Sequence, residues 1–496
     1  MTREECCAVV AEKDMPRTVY DMIVAMQEKY AERPAFRWVD DATKTVQEKT
    51  YGQFVEDIRK MTSYLQANVA DVKGQRIVIL SRTNYEYGVV TFGAVMAGAV
   101  IVTLNQKKTW PELEYELGLS EPALIFTDGI DYGYADELKA AYGDKLRPMN
   151  AYEGSAPAEL ANRIDPNALM MLMFTSGTTG RSKGVMLSQK NLFSAMPAFL
   201  DPFDNVKKYT GWNTDEFSSL SALPMFHISA MTSLVSWSIT GHSINLCNNL
   251  KYFYRDLGAM HSEVMAVVPV LLKSIYSDVM KGRRDRLNGL CVLTCGAAMF
   301  DPKILSDMME KGFFVAQMYG LTETCGDGAW NSSQEAKYLT SVGHVDLSCE
   351  YKLDDGELCM RGDPIMLGYY KDPEGTAEVI DAEGWFHTGD IARVEEDGYM
   401  YLTGRKKNVI ILDSGENVSP EELEKLLAPC ADIRECIVKE KDKKICALIY
   451  CDPAKQETVK EFVTGVNRGL PLYKRMVPEL SAQPLPRNAM GKLLRQ

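Results

Sequence analysis

The chain has 496 residues, of which 46% are hydrophobic and 25% charged, the balance of a globular protein with a large core and not of a disordered chain. Its formal net charge of −13 argues against a general nucleic-acid binder, because neutralising phosphates requires clustered Lys and Arg. The charge does not exclude a small anionic ligand, since glycine-rich loops and helix N-termini bind phosphate locally.

Cysteine and histidine usage predicts neither disulfides nor a zinc or iron site. Twelve cysteines are scattered without a CxxC pair, and none of the five histidines stands at metal-ligand spacing from another His or Cys. The first fourteen residues are polar and charged and lack the apolar segment of a signal peptide. We therefore expect free thiols in a cytoplasmic protein.

The first part of the chain alternates helix and strand signals. Thr50 and Gln53 have the spacing of a capping box, and the following helix has four apolar residues on one face: Phe54, Ile58, Met61 and Leu65. Apolar strands at 76–80 and 100–102, with a helix from about Asn84 between them, make a βαβ unit. Such units predict a mainly parallel sheet covered by helices on both faces. Further buried strands are expected at 169–174, 264–268 and 291–294.

Residues 87–105 carry no charge and approach the length of a membrane-spanning helix. The stretch breaks at Gly98 and Ala99, is helical in pattern before that break, and resembles a buried strand after it. We interpret it as a helix–strand piece of an α/β core, and we expect no transmembrane segment.

The sequence pattern changes after about residue 345. Asp-Gly and Glu-Gly turns at 355, 383 and 397 separate short segments in which apolar and polar residues alternate, a pattern typical of antiparallel sheet. A helix is predicted to begin with Ser419 as N-cap, Pro420 at its first position and Glu422 closing a capping box. Its expected apolar face is Leu423, Leu426 and Leu427, and strands are expected at 433–438 and 444–450. A small C-terminal α+β domain of roughly 90 residues follows from this pattern.

Residues 174–184 read FTSGTTGRSKG and follow a predicted buried strand. The glycines let backbone N–H groups approach an anion, and the hydroxyls of Thr175, Ser176, Thr178 and Thr179 add donors. Lys183 adds a compact positive charge, and these groups together suit a polyphosphate. Linkers rarely carry this ordered mix directly after a strand. Gly184 follows Lys183 where a Walker A loop has Ser or Thr, which argues against a GTPase-like switch. The predicted phosphate-binding residues are Thr175, Ser176, Gly177, Thr178, Thr179, Gly180 and Lys183.

This motif resembles the TSGTTGxPKG signature of the adenylate-forming superfamily of acyl-CoA synthetases, firefly-type luciferases and peptide-synthetase adenylation domains. Ser182 stands where the signature has Pro, which loses some loop stiffness. The resemblance continues at intervals from about residue 50 to the end and is closest to acyl-CoA synthetases. It implies an α/β fold with a large N-terminal domain (1–404) of mainly parallel, helix-covered sheets plus a distorted antiparallel sheet or barrel. A small mobile α+β domain (405–496) follows, with a hinge near Lys407.

Residues 319–324 read YGLTET, and a Glu beside hydroxyls offers the hard oxygen ligands that Mg²⁺ prefers. The resemblance implies that Glu323 and Thr175 bind Mg²⁺ and act in catalysis, and that Thr322 contacts the α-phosphate. It also implies nucleotide contacts around the adenine for Gly296, Ala297, Ala298, Gln317, Met318, Tyr319 and Gly320.

Two further motifs resemble the family's ribose and catalytic segments. Asp390, in GWFHTGD, resembles the ribose-binding carboxylate, and Arg405 adds a donor nearby. Lys492 resembles the lysine that bridges the attacking carboxylate and the phosphate, and it is the predicted catalytic and nucleotide-binding lysine. The segment 412–418 resembles the loop of the thiol tunnel, which assigns Ser414, Gly415 and Glu416 to the coenzyme A side.

The acyl pocket is expected at His227, Gly296 and Cys325. Amino-acid-activating relatives carry an Asp near His227, and a His does not supply that fixed negative charge, which favours a plain carboxylic acid. Soft neighbours such as Met225 and Met299 suit a fatty or aryl acid.

The resemblance thus implies an ATP-dependent acid–thiol ligase. With ATP and Mg²⁺ it would convert a small carboxylic acid to acyl-AMP, release pyrophosphate, and pass the acyl group to coenzyme A. Three alternatives stay open: a succinylbenzoate-type ligase, a loader of acyl or peptidyl carrier proteins, and a catalytically silent nucleotide-binding protein. Intact Lys183, Glu323, Asp390, Arg405 and Lys492 argue against the silent protein.

Overall fold

The computed structural model describes residues 15–162, 165–175, 182–200, 206, 217–296, 300–346, 348–408, 410–411, 417–441, 444–487 and 493–494. The chain divides into two compact units, Met1–Glu350 with Met360–Phe386, and Tyr351–Cys359 with His387–Gln496. The predicted domain limits at 404 and 405 and the hinge at Lys407 stay predictions. No helix in the described ranges is long and apolar enough to cross a membrane.

The α-helices of the described residues are α1 (Val19–Lys29), α2 (Tyr51–Asn68), α3 (Tyr85–Met96), α4 (Trp110–Ser120), α5 (Ala135–Tyr142), α6 (Gln189–Leu200), α7 (Ile228–Thr240), α8 (Phe253–Ala259), α9 (Pro269–Met280), α10 (Pro302–Glu310), α11 (Pro373–Ala377), α12 (Pro420–Leu427) and α13 (Gln456–Arg468).

The strands are β1 (Pro34–Val39), β2 (Val46–Thr50), β3 (Arg76–Leu80), β4 (Val100–Thr103), β5 (Leu124–Thr127), β6 (Leu146–Pro148), β7 (Leu169–Thr175), β8 (Lys183–Ser188), β9 (Ser218–Ser221), β10 (Ser243–Leu246), β11 (Val264–Val267), β12 (Val292–Cys295), β13 (Phe314–Gly320), β14 (Gly328–Asn331), β15 (His344–Val345), β16 (Cys349–Asp354), β17 (Glu357–Gly362), β18 (Gly368–Tyr369), β19 (Phe386–Val394), β20 (Met400–Arg405), β21 (Ile410–Ile411), β22 (Asn417–Val418), β23 (Ile433–Lys441), β24 (Lys444–Cys451) and β25 (Val477–Ser481).

A seven-stranded sheet has the order β18-β8-β7-β4-β3-β5-β6. Its strands β7, β4, β3, β5 and β6 are parallel neighbours, so their carboxyl ends lie along one edge. The predicted βαβ unit is confirmed, because β3 and β4 pair in parallel and α3 begins after the Asn84 cap. The uncharged stretch 87–105 therefore divides into most of helix α3 and the buried strand β4, as predicted.

A nine-stranded sheet has the order β15-β14-β13-β12-β11-β9-β10-β1-β2. The strands from β13 to β1 are parallel, and antiparallel strands flank them on both sides. Its core is a cluster of buried side chains that includes Leu220, Met265, Ile275, Leu293 and Met308. The last residue of β12, Cys295, pairs in parallel with Gln317 of β13, which places the predicted adenine residues on neighbouring strands.

The C-terminal strands are mostly antiparallel, as the turn pattern predicted. A four-stranded sheet has the order β16-β17-β19-β20, and β23 and β24 form an antiparallel pair that β25 extends in parallel. Leu423, Val438, Ile449 and Val459 share one core cluster beside this three-stranded sheet. Parallel and antiparallel sheets with covering helices confirm the predicted α/β class.

The start of α12 differs in part from the prediction. Ser419 Oγ accepts from the Glu422 N–H at 3.4 Å, which confirms the cap, but the Glu422 carboxylate accepts from Lys474 at 2.9 Å from each oxygen. Leu423 and Leu427 are fully buried, whereas Leu426 is exposed. The prediction for Leu426 was wrong, because the core contacts α12 along the side of Leu423 and Leu427 and does not extend to Leu426.

We predict that Thr50→Ala lowers the free energy of unfolding by about 1 kcal/mol, the usual cost of a lost N-cap. The Thr50 hydroxyl accepts from Gln53 N at 3.3 Å, and Gln53 Oε1 accepts from Thr50 N at 3.0 Å, so the predicted capping box at α2 is present. Chemical denaturation measures the change. Thr50→Ser keeps the acceptor and should keep the stability, and equal losses in both variants would contradict the capping role.

Candidate active site

The Gly-rich segment joins the antiparallel strands β7 and β8. Thr175, the last residue of β7, is the direct partner of Lys183, the first residue of β8. The two residues that bracket the segment are therefore neighbours at the edge where the parallel strands end. The predicted residues Ser176, Gly177, Thr178, Thr179 and Gly180 lie outside the described residues.

Strand β18 brings a tyrosine to Lys183. Tyr369 pairs with Val185 in antiparallel register, and Tyr370 N donates to Gly184 O at 2.7 Å. Lys183 Nζ consequently lies 4.5 Å from the centroid of the Tyr369 ring and 3.6 Å from Asp372 Oδ2. A cation over an aromatic face is attracted by the ring quadrupole, so both contacts hold the ammonium in place.

The same tyrosine reaches Glu323, which lies in the 3₁₀ turn Thr322–Thr324. The Tyr369 hydroxyl donates to Glu323 Oε1 at 3.0 Å, and Glu323 O accepts from Met366 N at 2.8 Å. Burial, reinforced by the charge of Glu323, raises the pKa of Tyr369, so the phenol stays a donor. Tyr369 thus joins the predicted phosphate-binding lysine to the predicted magnesium ligand, 140 positions further along the chain.

The predicted adenine residues follow β12 and occupy β13. Gln317 is the parallel partner of Cys295, the residue before Gly296. A Cβ on Gly296 would lie 2.7 Å from Met318 Cγ, so a larger residue there would displace the Met318 side chain. Gln317 Nε2 donates to Leu339 O at 2.9 Å, and Tyr319 is buried. Ala297 and Ala298 lie outside the described residues.

The segments of His227 and Cys325 come together in an apolar wall. His227 is the residue before α7, and Cys325 is fully buried, which raises the pKa of its thiol. A Cβ on Gly326 would lie 3.4 Å from Phe199 Cζ and 3.7 Å from Ile228 Cγ1. The predicted pocket residues therefore border a wall of large hydrophobic side chains next to the Glu323 turn, and Phe199 also packs edge-on against Trp330, with ring centroids 5.8 Å apart.

In the second unit, Asp390 and Arg405 are direct partners across β19 and β20. Arg405 Nε lies 2.6 Å from Asp390 Oδ1, and Asp390 is buried. Thr388 Oγ1 accepts from Asp390 N at 3.1 Å and donates to Leu358 O at 2.7 Å, which fixes the backbone at this carboxylate. The structure thus brings together the two residues predicted to bind ribose.

A buried carboxylate supports this pair. Glu357 Oε1 accepts from Gly389 N at 3.0 Å, and Glu357 Oε2 lies 2.7 Å from Lys406 Nζ and 3.1 Å from His387 Nδ1. Burial alone would raise the pKa of Glu357, but the hydrogen bonds from Lys406, His387 and Gly389 outweigh it and hold that pKa below its usual value. Glu357 therefore connects the residues next to both Asp390 and Arg405.

The ligand atoms of Asp354, Cys359 and His387 lie within 4.8 Å of one another, although their spacing in the sequence gave no metal signal. Burial, with the nearby Glu357 and Asp354, raises the pKa of Cys359 to about 11, so its thiol is protonated at neutral pH. The Lys406 ammonium also neutralises Glu357 beside this group. Cys359 Sγ lies 3.4 Å from His387 Nδ1, which also contacts Glu357, whereas the Asp354 side chain is exposed, and we assign no metal to this group.

The remaining predicted residues are only partly placed. Lys407 lies exposed in the 3₁₀ turn Lys406–Asn408 directly after Arg405. Ser414, Gly415, Glu416 and Lys492 lie outside the described residues.

Sequence reasoning missed Tyr369, Asp372 and Glu357. The Gly-Tyr-Tyr-Lys-Asp segment at 368–372 was a possible signal, because two adjacent aromatics followed by opposite charges are unusual on a free surface. Glu357 directly follows an Asp-Gly turn and carries no such signal. Its role depends on partners 30 to 49 positions away.

Comparison with known proteins gives a family match over most of the chain. The model of the AMP-binding enzyme family matches residues 24–370. The peroxisomal OPC-8:0-CoA ligase 1 of Arabidopsis thaliana is 26% identical over 466 residues, covering 86% of this chain and 83% of the relative. A long-chain-fatty-acid–CoA ligase of Mycobacterium tuberculosis is 26% identical over 477 residues, covering 90% of this chain and 92% of the relative.

Among solved structures, the fold is similar to that of the o-succinylbenzoate CoA synthetase of Bacillus subtilis in complex with its acyl-adenylate intermediate. The TM-score is 0.79 at 24% sequence identity, with 96% of each chain covered. At this identity the likeness concerns the fold.

We predict that Glu357→Gln lowers the free energy of unfolding by about 2 kcal/mol at neutral pH, because it removes the charge that three donors share. A carboxylate with a lowered folded-state pKa stabilises the fold above its unfolded pKa of about 4.3, and this contribution disappears as the pH falls through the folded value. The gap between wild type and variant should therefore close below about pH 4.

Denaturation at a series of pH values measures this gap. Glu479→Gln is the control, since Glu479 is paired with Lys441 at the surface of the same unit, and exposed pairs contribute little. A gap for Glu357→Gln that stays constant down to pH 3 would contradict the assigned role of the charge.

Proposed function

The chain belongs to the AMP-binding enzyme family, and from that membership we propose that it is an ATP-dependent acid–thiol ligase. It activates a carboxylic acid as an acyl-adenylate, releases pyrophosphate, and transfers the acyl group to the thiol of coenzyme A. The observation that carries the proposal is the convergence of Lys183 and Glu323 on Tyr369 at the end of the parallel strands.

The proposed phosphate end of this site combines the Lys183 ammonium with side-chain oxygens that can bind a metal ion. Lys183 attracts the phosphates, and it lies at the end of a segment whose glycines and hydroxyls suit backbone and side-chain donation. The Glu323 carboxylate and the Thr175 hydroxyl are hard oxygen ligands that fit Mg²⁺, which supplies neutralisation of phosphate charge when bound. The Tyr369 hydroxyl orients Glu323 for this task.

Two groups of residues are proposed to contact the nucleoside. Gly296 and the β13 residues Gln317, Met318, Tyr319 and Gly320 form the adenine side, and Thr322 contacts the α-phosphate. In the second unit, the Asp390 carboxylate accepts from ribose hydroxyls while Arg405 holds it in orientation. Ala297, Ala298, the hinge at Lys407 and the thiol-side residues Ser414, Gly415 and Glu416 belong to the same proposal.

The chemistry needs no protein nucleophile. A carboxylate oxygen of the acid attacks the α-phosphorus, and the bond to the pyrophosphate oxygen breaks. Lys492 stabilises the charge that builds up between the two reactants. The thiol sulfur then attacks the acyl carbon, its proton is lost, and AMP leaves with the bonding electrons. Positioning and charge stabilisation supply the rate enhancement.

A fatty or aryl acid is the substrate class that the apolar wall supports. Phe199, Ile228 and Trp330 offer hydrophobic contact beside the Glu323 turn, and His227 offers no fixed negative charge for an α-ammonium group. A succinylbenzoate-type acid would need a partner for its second carboxylate. A carrier-protein thiol is the alternative acceptor to coenzyme A.

We predict carboxylate-dependent exchange of pyrophosphate into ATP with one class among fatty, aryl, succinylbenzoate-type and amino acids. Lys492→Ala should lower this exchange at least about a hundredfold, as removing a group that stabilises transition-state charge does. Lys455→Ala is the control, because Lys455 is a surface lysine of the same unit whose pair with Asp432 spans 3.7 Å. Thioester formation with coenzyme A then tests the second step.

No exchange with any acid, while ATP still binds, would contradict the ligase proposal and favour a silent nucleotide-binding protein. Exchange without thioester formation from coenzyme A, but with formation on a pantetheine-loaded carrier protein, would replace the proposed acceptor.

We predict that Tyr369→Phe raises the Mg²⁺ concentration for half-maximal exchange about fivefold, because Glu323 loses the donor that orients it. The aromatic face over Lys183 remains, so the KM for the acid should not change. Tyr370→Phe is the matched control, since it removes a neighbouring phenol that does not reach Glu323. Equal Mg²⁺ dependence in wild type and Tyr369→Phe would exclude the orienting role.

A further inference from the structure

A buried ion pair lies beside the exit of the Gly-rich segment. Lys108, which follows β4, is 8% exposed and pairs directly with Glu116 of α4, which is fully buried. Charges removed from water this far are costly unless their geometry is fixed and their remaining donors are used. The hydrogen bonds that the pair makes with other residues therefore indicate its role.

Its outward contact is Ser182. Lys108 Nζ donates to Ser182 Oγ at 3.3 Å, across 74 positions of sequence. Ser182 immediately precedes Lys183, whose partner in the β7–β8 ladder is Thr175. A continuous polar connection thus runs from Glu116 through Lys108 to the residue next to the predicted phosphate-binding lysine.

The Ser182 hydroxyl belongs to the surroundings of both members of the pair. Burial raises the pKa of Glu116, whereas the Lys108 charge and hydrogen bonds with Lys108 and Ser182 favour the charged carboxylate. Ser182 therefore helps to keep the pair charged inside the protein. The Lys108 ammonium in turn directs a donor to the end of the Gly-rich segment.

The residue type at position 182 indicates what this contact does. Related signatures carry Pro here, and a proline ring fixes φ near −65° and so restrains the chain before the lysine. Ser182 lacks that ring and loses the restraint. Its hydroxyl offers a second way to hold the same position, by a hydrogen bond to a buried and immobile cation.

We propose that Lys108, held by Glu116, is a positioning residue for ATP, which fixes Ser182 and thereby places Lys183 over Tyr369 for the phosphates. Lys108 does not touch the nucleotide in this proposal, which rests on the proposed ATP-binding function. The connection replaces, by a hydrogen bond, the restraint that a proline would give.

The central test measures ATP affinity by calorimetry, without acid, in Ser182→Ala and Ser182→Thr. Loss of the hydroxyl should weaken ATP binding about fivefold, the effect of one ordinary hydrogen bond, whereas the threonine keeps the acceptor and the affinity. Ser120→Ala is the matched control, since its buried hydroxyl on the same helix as Glu116 donates only to Leu117 O, at 3.2 Å. It should leave ATP affinity unchanged.

A second set removes the pair without leaving a lone buried charge. Lys108→Met combined with Glu116→Leu should weaken ATP binding to the level of Ser182→Ala, and adding Ser182→Ala should weaken it no further. Ser182→Pro in the Lys108→Met, Glu116→Leu background should restore the affinity. This rescue separates positioning from general stability, which thermal unfolding records in parallel.

Wild-type ATP affinity in Ser182→Ala, or equal losses in Ser182→Ala and Ser120→Ala, would overturn the proposal. If the wild-type protein binds ATP but shows no exchange of pyrophosphate into ATP, the ligase function is contradicted. The ATP affinities of the variants still test the positioning proposal in that case. If the wild-type protein does not bind ATP at all, both proposals fail together at their shared premise.

Discussion

The hydrogen bond from the Tyr369 hydroxyl to Glu323 is the interaction on which the first unit's site depends. It joins the edge of the seven-stranded sheet to the turn that follows the nine-stranded sheet's strand β13. Without it, the Glu323 carboxylate would lose a donor that orients it, whereas Lys183 would keep its contacts with the Tyr369 ring and Asp372. The short strand β18 makes the contact possible, because its pairing with β8 determines where the tyrosine points.

In the second unit, the buried carboxylate of Glu357 has a role comparable to that of Tyr369 in the first unit. Glu357 is nearly inaccessible, and a buried charge persists only where several donors replace water. Its donors lie directly beside the two residues expected to hold ribose, so the cost of burial is offset by hydrogen bonds that also set the geometry of strands β19 and β20. In each unit, a buried side chain, Tyr369 in the first and Glu357 in the second, contacts the residues expected to bind the nucleotide or their direct neighbours.

Much of the fold was predictable because its signals are local. The capping box at Thr50, the apolar strand 76–80 and the cap at Asn84 each depend on residues within a few positions, and the structure has all three. Asp390 and Arg405 were also found, since both carry a motif of their own. Tyr369, Glu357 and Lys108 were not, because their contacts with Glu323, His387 and Ser182 each span 30 or more positions of sequence. Leu426 shows a different kind of error. The local pattern of three leucines predicted a wider buried face on α12 than the structure has.

The direct pairing of Thr175 with Lys183 separates two constraints on the length of the chain. Residues added between the two lengthen a connection whose ends are already closed, and that closure cost grows only slowly with length. One residue added within β8 would instead turn every following side chain to the opposite face of the sheet. The pairing of β7 with β8 therefore limits the length of β8 but not the length of the connection before it, so a fixed length of that connection would reflect its ligand and not the stability of the sheet.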